Sequence, residues 1–415
     1  MFYKETEFQD SSIGKVPRDW DIRELGDEYI AEIIAGQSPP SSTYNKENHG
    51  LAFLQGKTEF GDMFPSPTVY CSKPIKLAEK DDVLLSVRAP VGDVNIAPFE
   101  CCIGRGLAAI RTRKERLSHM FLFHYLRHEG RRFQALSTGS TFKAIRMREI
   151  ESFQVPIPPT VEQTAIVGVL DVVDSAIELG DKVIGKTERL KKGLMQQLLT
   201  RGIGHTEYKD TPIGKIPAKW QTMKLRDVLE LCQYGLSVKF GNKGKYRILK
   251  MDDIENGVAF PDNAKYVDLD EKTFTHFQLE KGDILFNRTN SYELVGRTGI
   301  FTLDGDYTFA SYLIRLRPKK EWVDSQFLTF YLIYSNDRLR QLATRAVHQA
   351  NINATNLQSF TIIIPSLSEQ KKAAEIIVTL DRKLELERNE KAKLERIKQG
   401  LMDLLLTGKV RIKVD

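Results

Sequence analysis

The sequence is poor in cysteine and has no long apolar run. Its 415 residues include four cysteines, Cys71, Cys101, Cys102 and Cys232, and none lies in a C-x-x-C pattern. This argues against a disulfide framework and against a cysteine-ligated zinc site. No run approaches the roughly 18 apolar residues of a membrane helix, and the acidic start MFYKETEFQD lacks the apolar core of a secretory signal. We therefore expect a cytoplasmic protein that does not span a membrane.

Patterns that carry catalysis are also missing. The seven histidines form no H-x-x-x-H or H-x-H pair near cysteine or carboxylate ligands, so a metal site has little support. There is no G-x-G after a strand and no Asn/Asp-Pro-Pro-aromatic tetrad, which are signs of a methyl-donor site. No Ser-His-Asp set stands out. We expect a chain that is not an enzyme and holds neither a metal nor a cofactor of its own.

Two short motifs suggest catalysis but have simpler explanations. GDKVIGKT, residues 180–187, matches the phosphate-binding pattern G-x-x-x-x-G-K-[ST], which requires a glycine-rich loop between a strand and a helix. Here it lies inside a helical pattern. Asp262 and Asp270, with Lys272 nearby, could form a nuclease-like set of two carboxylates and a lysine. Such spacing is also frequent in solvated turns, so a nuclease remains only an alternative.

Length and charge leave the function open. A chain of 415 residues suits two or three domains, and 41% hydrophobic with 28% charged residues is typical of globular proteins. The net charge of +6 and the pI near 8.9 permit nucleic-acid binding without demanding it. Composition alone therefore decides little.

A long segment of this chain occurs twice. Residues 160–200, which begin TVEQTAIVGVL, return as residues 367–407, which begin LSEQKKAAEII. A second duplicated anchor, SSIGKVPRDW at 11–20, matches TPIGKIPAKW at 211–220. The offset is 200 at the anchors and 207 at the long segments, so the second copy has gained a net seven residues between them. A repeat of this kind defines the architecture: each copy is an anchor, a variable body and a long helix.

The two bodies combine strand and helix patterns, so we expect an α+β (mixed α/β) fold. Short apolar runs are typical of strands, and the spacing of aromatic residues and leucines is typical of helices. The predicted strands lie at 81–87, 106–113, 282–287 and 311–318, with a last strand in each body at 153–159 and 360–366, and the predicted helices lie at 119–136 and 324–343.

Matching signals mark the start of each long helix. Thr160 with Gln163, and Ser366 with Glu369, form capping-box patterns just after a proline. About 40 residues at 1.5 Å per residue give each helix a length of roughly 60 Å.

Steps of three and four residues along the long helices give a seam that is apolar at both ends and weaker in the middle. Neither seam is stable alone in water, so we expect the two helices to pair as an antiparallel coiled coil. The alternative is that each helix packs on its own domain. The predicted seam residues are Ile166, Leu170, Val173, Ile177, Ile184, Leu194, Leu198, Ile377, Leu380, Leu384, Leu394, Leu401 and Leu405.

Polar and basic segments recur at corresponding places in the two bodies, at 137–153 and 344–360. Others directly follow the predicted strands at 81–87 and 282–287, and a glycine-lysine loop lies at 237–245. Arginine and lysine suit guanine or phosphate, and asparagine and glutamine suit adenine. Arg88 and the group of Asn287, Arg288, Asn290 and Arg297 are expected to join the same face as these segments, and for each loop the alternative is an ordinary solvated surface. The candidate DNA-binding residues are Lys57, Arg88, Thr141, Lys143, Arg146, Arg148, Lys239, Lys243, Lys245, Asn287, Arg288, Asn290, Arg297, His348, Gln349, Asn351 and Asn353.

These features together resemble the specificity subunit of type I restriction–modification systems. VPIPPTVEQTAI at 155–166 is similar to the family's proline-rich strand end followed by Glu-Gln and a helix, and TGSTFKAI at 138–145 is similar to its Gly-Ser-Thr loop. IPAKW resembles the start of a recognition domain, and LMQQLLTRGI and LMDLLLTGKV resemble the helix ends. The resemblance covers essentially the whole chain, but VHQANI in the second copy departs from GSTFKAI.

The resemblance implies two target-recognition domains, at 1–158 and 203–365, separated by spacer helices at 159–202 and 366–415. Each domain would read one half of a split site in double-stranded DNA, and diverged bodies imply an asymmetric site. Family members dock methyltransferase (modification) and restriction/translocase subunits, on which S-adenosylmethionine, ATP and Mg act. A tandem-domain scaffold that never touches DNA is the main alternative, and a stand-alone nuclease is a third.

Overall fold

The structure, a computed structural model, describes residues 2–137, 144–345 and 349–413. Two units divide the chain: unit 1 is Met1–Asp181 with Asn389–Asp415, and unit 2 is Lys182–Arg388. The division passes through both long helices, so each unit contains a part of each helix.

The helices match the predicted pattern with one difference. Each predicted body helix is interrupted once, at Glu129 (ψ 7°) and at Ser335 (ψ 8°), so that a short second helix follows the first. The helices are α1 (His119–His128), α2 (Gly130–Leu136), α3 (Met147–Glu151), α4 (Thr160–Thr200), α5 (Glu271–Phe277), α6 (Ser325–Tyr334), α7 (Asn336–Arg340), α8 (Ala354–Gln358) and α9 (Leu367–Leu405). None of the described helices combines the length and apolarity that a membrane span requires.

The strands are short, and the predicted ones are present. In the first half of the chain they are β1 (Phe2–Lys4), β2 (Phe8–Ser11), β3 (Gly14–Pro17), β4 (Asp21–Glu24), β5 (Ala31–Ala35), β6 (Tyr44–Asn45), β7 (Leu51–Leu54), β8 (Tyr70–Cys71), β9 (Leu77–Ala78), β10 (Val83–Ser86), β11 (Val94–Ile96), β12 (Cys101–Ile103), β13 (Leu107–Thr112) and β14 (Gln154–Ile157). After α4 they are β15 (Tyr208–Thr211), β16 (Gly214–Pro217), β17 (Gln221–Lys224), β18 (Leu229–Tyr234), β19 (Tyr246–Leu249), β20 (Ile254–Glu255), β21 (Val258–Ala259), β22 (Lys265–Val267), β23 (Ile284–Asn287), β24 (Thr289–Asn290), β25 (Thr298–Ile300), β26 (Tyr307–Phe309), β27 (Leu313–Pro318), β28 (Thr344–Arg345), β29 (Ala350–Asn351), β30 (Thr361–Ile364) and β31 (Val410–Ile412).

The two bodies share one sheet architecture although their sequences differ. The main sheet has the order β11-β10-β13-β5 in unit 1 and β25-β23-β27-β18, extended by β21 and β20, in unit 2. A second sheet in each unit contains a parallel pair, β7 with β12 and β19 with β26. The predicted mixed α/β fold is confirmed, and the variable bodies are two versions of one fold.

Two glycines occupy equivalent tight positions in these sheets. Gly36 follows β5 and Gly235 follows β18. A Cβ atom at either position would lie 2.2 Å from a carbonyl oxygen, that of Gly104 in unit 1 or Ala310 in unit 2. Because neither backbone oxygen can move without breaking the strand contact, both positions require glycine.

The ends of the long helices pack into the core of the unit that contains them. Ile166 and Leu170 of α4, with Leu405 of α9, join the core of unit 1. Leu198 of α4 and Ile377 of α9 join the core of unit 2. These helix ends therefore pack on the domains, which was the alternative to a helix pair. All thirteen predicted seam residues are buried or half-buried.

Further along the helices, α4 and α9 contact each other inside each unit through ion pairs. Asp174 pairs with Lys398 in unit 1, and Lys191 pairs with Asp381 in unit 2. The two ion pairs use equivalent positions of the repeat, since Asp174 and Asp381, like Lys191 and Lys398, are 207 residues apart. In unit 1, Asp181 also pairs with Lys391 at 2.6 Å, so partners ascend on one helix as they descend on the other. The two helices run antiparallel within that unit, with charges in place of the missing apolar residues.

A duplicated Glu-Gln pair near the start of each long helix forms hydrogen bonds to the body of the same copy. The Glu162 carboxylate accepts a hydrogen bond from the Trp20 indole at 3.1 Å, and Glu369 accepts one from Trp220 at 3.0 Å. These tryptophans belong to the duplicated anchors, so in each copy the anchor contacts the start of the long helix.

The glutamines next to these glutamates, Gln163 and Gln370, also bond to the body. The Gln163 amide oxygen accepts from the backbone N–H of Ser118 at 2.7 Å, and Gln370 accepts from that of Asp324 at 2.8 Å. The capping-box prediction at Thr160 was wrong because tertiary contacts take the glutamine side chain. At the second helix the Ser366 hydroxyl accepts from the Glu369 N–H at 3.4 Å, which is half of the predicted box.

Candidate nucleic-acid interface

Three of the predicted DNA-binding residues, Thr141, Lys143 and His348, lie outside the described residues. The others can be placed, those in the first body in unit 1 and the rest in unit 2.

In unit 1 the structure brings two of the predicted segments together. Arg88, in the loop that follows β10, pairs with Ala144 as an isolated antiparallel bridge. The Ile145 N–H donates to the Val87 carbonyl at 3.0 Å. Lys57 joins the same loop through an ion pair with Asp93 at 2.9 Å.

Two further arginines continue this edge of unit 1. Arg146 and Arg148 flank the start of α3, directly after the bridge, and both are exposed. Unit 1 therefore presents several cations from three chain segments on neighbouring loops.

Unit 2 repeats this arrangement with other side chains. The Ile352 N–H donates to the Arg288 carbonyl at 2.9 Å, which is the equivalent of the Ile145 and Val87 contact. Thr289 and Asn290 of β24 pair with Asn351 and Ala350 of β29. The segments around 288 and 351 are thus adjacent in unit 2, as predicted for loops that share one face.

All four predicted asparagines make contacts within the fold, and the Asn351 side-chain oxygen accepts from the Thr289 hydroxyl at 3.4 Å. The Asn287 side chain is fully buried. Asn353 caps α8, since its side-chain oxygen accepts from the Asn356 N–H at 2.7 Å. Asn290 accepts from the Ser291 N–H at 2.8 Å. A sequence pattern does not show these roles, because capping and loop-bracing asparagines have the same composition as base-reading ones.

Solvent-facing candidates remain in unit 2. Arg297 and Gln349 are exposed and Asn351 is half-buried. The glycine-lysine loop carries Lys239, Lys243 and Lys245, all exposed.

The end of this loop is braced against the second sheet. The Lys245 N–H donates to Asp268 at 2.8 Å, and its ammonium lies 4.9 Å from the centre of the Tyr246 ring. The hydrogen bond to Tyr246 raises the pKa of Lys245. The charge at this position is therefore held in place on the surface.

Sequence reasoning missed two exposed aromatic residues in unit 2, Tyr234 and Tyr312. Tyr234 is the last residue of β18 and Tyr312 directly precedes β27, and the Arg288 guanidinium lies 4.8 Å from the centre of the Tyr234 ring. The only signal in the sequence is an aromatic residue at a strand end beside glycine or serine, which is common in loops without a binding role.

The motifs that suggested catalysis have structural roles in the described part of the chain. Residues 180–187 are continuous helix within α4, so the loop that phosphate binding requires is not formed. Asp270 caps α5 and accepts from the Thr273 N–H and hydroxyl at 2.9 and 2.6 Å, and these hydrogen bonds lower the pKa of its carboxyl. The described residues contain no group of three or more His, Cys, Asp or Glu side chains that could hold a metal ion. Burial raises the pKa of the Cys101 thiol to about 12, which makes it unreactive.

Comparison with known proteins gives a consistent match over both halves of the chain. The family model described as "Type I restriction modification DNA specificity domain" matches residues 17–188 and again 217–396.

Similar proteins come from archaea and bacteria. A Methanocaldococcus jannaschii chain named as a type I restriction enzyme MjaX specificity subunit is 48% identical over 198 residues, about half of each chain. The MjaVIII specificity subunit of the same organism is 28% identical over all of this chain and 98% of its own. A solved structure titled for complex assembly and conformational transition of the type I R-M system has a TM-score of 0.62 at 17% identity, over 95% of this chain and 99% of its own, which shows a shared fold.

Proposed function

The chain belongs to the family of type I restriction–modification DNA specificity subunits, and we propose that it reads an asymmetric, bipartite site in double-stranded DNA. The observation that carries this proposal is the repeated loop pair: in each unit, the loop after an equivalent strand is joined by backbone hydrogen bonds to the segment before an equivalent short helix. The two loop pairs carry different side chains. A chain with two equivalent but different readers suits a site with two unlike halves.

The chemistry of the loops supports different half-sites. Unit 1 offers Arg88, Arg146 and Arg148, which favour guanine and phosphate. Unit 2 combines Arg288 with the amides of Gln349 and Asn351, which add contacts suited to adenine. S-adenosylmethionine, ATP and Mg would act on partner subunits, with this chain supplying the position on DNA.

The long helices are proposed to act as an antiparallel coiled-coil spacer between the two recognition domains. Support comes from the duplicated ion pairs, Asp174 with Lys398 and Lys191 with Asp381, each of which joins α4 to α9 inside one unit. Charged partners at matching positions fix the register of two helices more sharply than apolar contacts alone. A rigid spacer would set the gap between the half-sites.

Binding to DNA is expected to depend steeply on salt. Neutralising several phosphates releases counterions, so affinity for random duplex should fall by about 10³-fold or more between 50 and 200 mM salt. Filter binding over a salt series measures this, and mapping of methylated adenines in cells that carry the chain and its partners gives the site. A flat salt curve would instead favour the scaffold. Metal-dependent cleavage by the chain alone, lost in Asp270→Ala, would favour the nuclease.

We further propose that the outer faces of α4 and α9 dock the modification subunits, through which the restriction subunits join. Leu179 and Leu386, 207 residues apart, are 62% and 69% exposed, and Leu190 and Ile397, again 207 apart, are each 52% exposed. On a helix, positions 11 apart lie within about 20° of each other. Each helix thus carries the same exposed apolar stripe, which suits two copies of one partner.

The double substitution Leu179→Glu and Leu386→Glu should abolish co-purification of the modification subunit, because each adds a charge to an apolar contact. DNA binding by the isolated chain should be unchanged. A matched control is Gln196→Glu with Gln399→Glu, which adds the same charge at exposed positions about 100° or more around each helix from the stripe. Equal loss in both pairs would show that charge, and not the stripe, is responsible.

A further inference from the structure

Unit 2 has an aromatic–arginine cluster beside its reading loops. Tyr234, at the end of β18, is 41% exposed, and Tyr312, just before β27, is 46% exposed. The Arg288 guanidinium lies 4.8 Å from the centre of the Tyr234 ring. The Arg288 N–H also donates to the Tyr312 carbonyl at 3.0 Å. The three side chains therefore belong to adjoining backbone positions.

Unit 1 has no such cluster at the equivalent positions. The Val87 N–H donates to the Gly106 carbonyl at 2.9 Å, in the same way that Arg288 donates to Tyr312. Ala35, at the end of β5, takes the place of Tyr234. Small or aliphatic residues thus stand where unit 2 places Arg288, Tyr234 and Tyr312. The cluster is not needed to build the fold, because the same backbone forms without it.

The Arg288 guanidinium is held in one orientation. Its Nη1 donates to the Ser311 carbonyl at 3.2 Å, and its Nε is buried without a hydrogen-bond partner in the described part of the chain. The ring beneath it is also fixed, because the Tyr234 hydroxyl accepts from the Ala354 N–H at 2.7 Å. That N–H belongs to the first turn of α8, so the stack is anchored to the segment that follows β29.

This arrangement fits recognition of a guanine edge. With Nε turned inward, the end of the fork formed by Nη1 and Nη2 is the part that can face a ligand, and no described residue takes the hydrogens of Nη2. The O6 and N7 atoms of guanine accept from such a planar fork as a bidentate pair. Stacking on an aromatic face fixes the plane before DNA arrives, which lowers the entropy lost on binding. A phosphate contact needs charge but not this fixed plane.

We propose that Arg288 reads a guanine in the half-site bound by unit 2, and that Tyr234 is the positioning residue that fixes its guanidinium. The inference rests on the proposed DNA-reading function and names the base and the residues involved. Tyr312 contributes its backbone carbonyl, which accepts from the Arg288 N–H.

The test uses the chain assembled with its modification subunits. Methylated adenines are mapped for the wild type, and binding is then measured to the mapped site and to sites with each base pair changed. Arg288→Ala and Arg288→Lys should both reduce discrimination at one G·C pair by about 10- to 100-fold, since the fork and not the charge reads the base. Tyr234→Ala should reduce discrimination at the same pair, and Tyr234→Phe should keep most of it because the ring remains.

Controls separate this role from general effects. Lys281→Ala removes a cation at the opposite end of β23, where Lys281 is paired with Asp304 at 2.7 Å, and should change nothing. In every variant the other half-site should keep its full specificity, and unchanged discrimination at the remaining base pairs of the half-site bound by unit 2 shows that unit 2 is folded.

Three results would overturn the inference. Uniform weakening at all sequences by Arg288→Ala, with the salt slope reduced by about one, would make Arg288 a phosphate contact. Full specificity in Arg288→Lys would show that charge suffices, and a mapped site with no discriminated guanine would leave the residue nothing to read. Failure of the proposed function is distinguishable, because the wild type would then show neither a bipartite methylated site nor salt-dependent binding.

Discussion

Replacing Arg411 by alanine should lower the free energy of unfolding of unit 1 by about 3 kcal/mol. The Arg411 guanidinium is nearly buried and donates to Glu162 at 2.8 and 2.7 Å. It also bonds to Glu5 at 2.8 Å and to Asp19 at 2.7 and 2.8 Å. Without it the buried Glu162 carboxylate loses its cation, and a buried charge without its partner is costly. Urea unfolding followed by tryptophan fluorescence measures the change.

The effect should depend on pH in one direction. Hydrogen bonds from the Glu7 N–H and then from Arg411 lower the pKa of Glu5 in the folded chain. A depressed carboxyl pKa stabilises the fold above the ordinary glutamate value of about 4.3, and that stability is lost as the pH falls below it. The difference between the wild type and Arg411→Ala should therefore shrink from pH 7 toward pH 3.

Lys409→Ala is the matched control for this cluster. Lys409 pairs with Asp403 at 3.1 Å, but both side chains are about half exposed. Exposed pairs contribute little, so the expected change is below about 0.5 kcal/mol. Equal, small effects of both substitutions would show that the Arg411 cluster does not stabilise unit 1.

Deleting facing segments of equal length from both long helices should shorten the gap between the two half-sites. Lys191 contacts Asp381, and Glu188 contacts Arg388, so residues 184–190 of α4 lie opposite residues 382–388 of α9 in unit 2. Deleting both blocks removes seven residues from each helix, about 10 Å of helix length, with a rotation of only about 20°. At about 3.4 Å per base pair the gap should shrink by one to about three base pairs. Methylation mapping reads the new gap directly.

The half-site sequences should stay the same in this deletion, because no reading loop is touched. A control with Lys186→Ala and Glu385→Ala changes two exposed residues within the same blocks and keeps the helix length. Its gap should equal that of the wild type. An unchanged gap in the double deletion would reject the spacer role, and changed half-sites would show that the helices do more than set distance.

Periodicity and duplication in the sequence were sufficient to predict the main strands and helices of both copies. The body strands, the body helices and both long helices lie where the apolar spacing places them, because burial of one face is a local pattern. The partners of single polar side chains were not predictable. Gln163 has the spacing of a capping residue, yet its amide bonds to the backbone of Ser118, which is 45 residues away.

The same limit applies to the candidate interface. The sequence predicted that the segments around Arg88 and Arg288 join the loops before the last strands, and within each unit they do. It did not separate the buried Asn287 or the capping Asn353 from exposed side chains, because burial depends on contacts that only folding creates.

By itself, the sequence determined that this protein is a duplicated α/β chain with two different bodies, since repeats, apolar spacing and unlike loops are all local properties. Only the tertiary structure decided that the different bodies share one sheet order. It also decided that the glutamate at the start of each long helix bonds to the anchor tryptophan of the same copy, and that Arg288 is stacked on Tyr234. The physical reason is that these facts depend on residues far apart in the chain, whose contacts form when the sheets and helices pack.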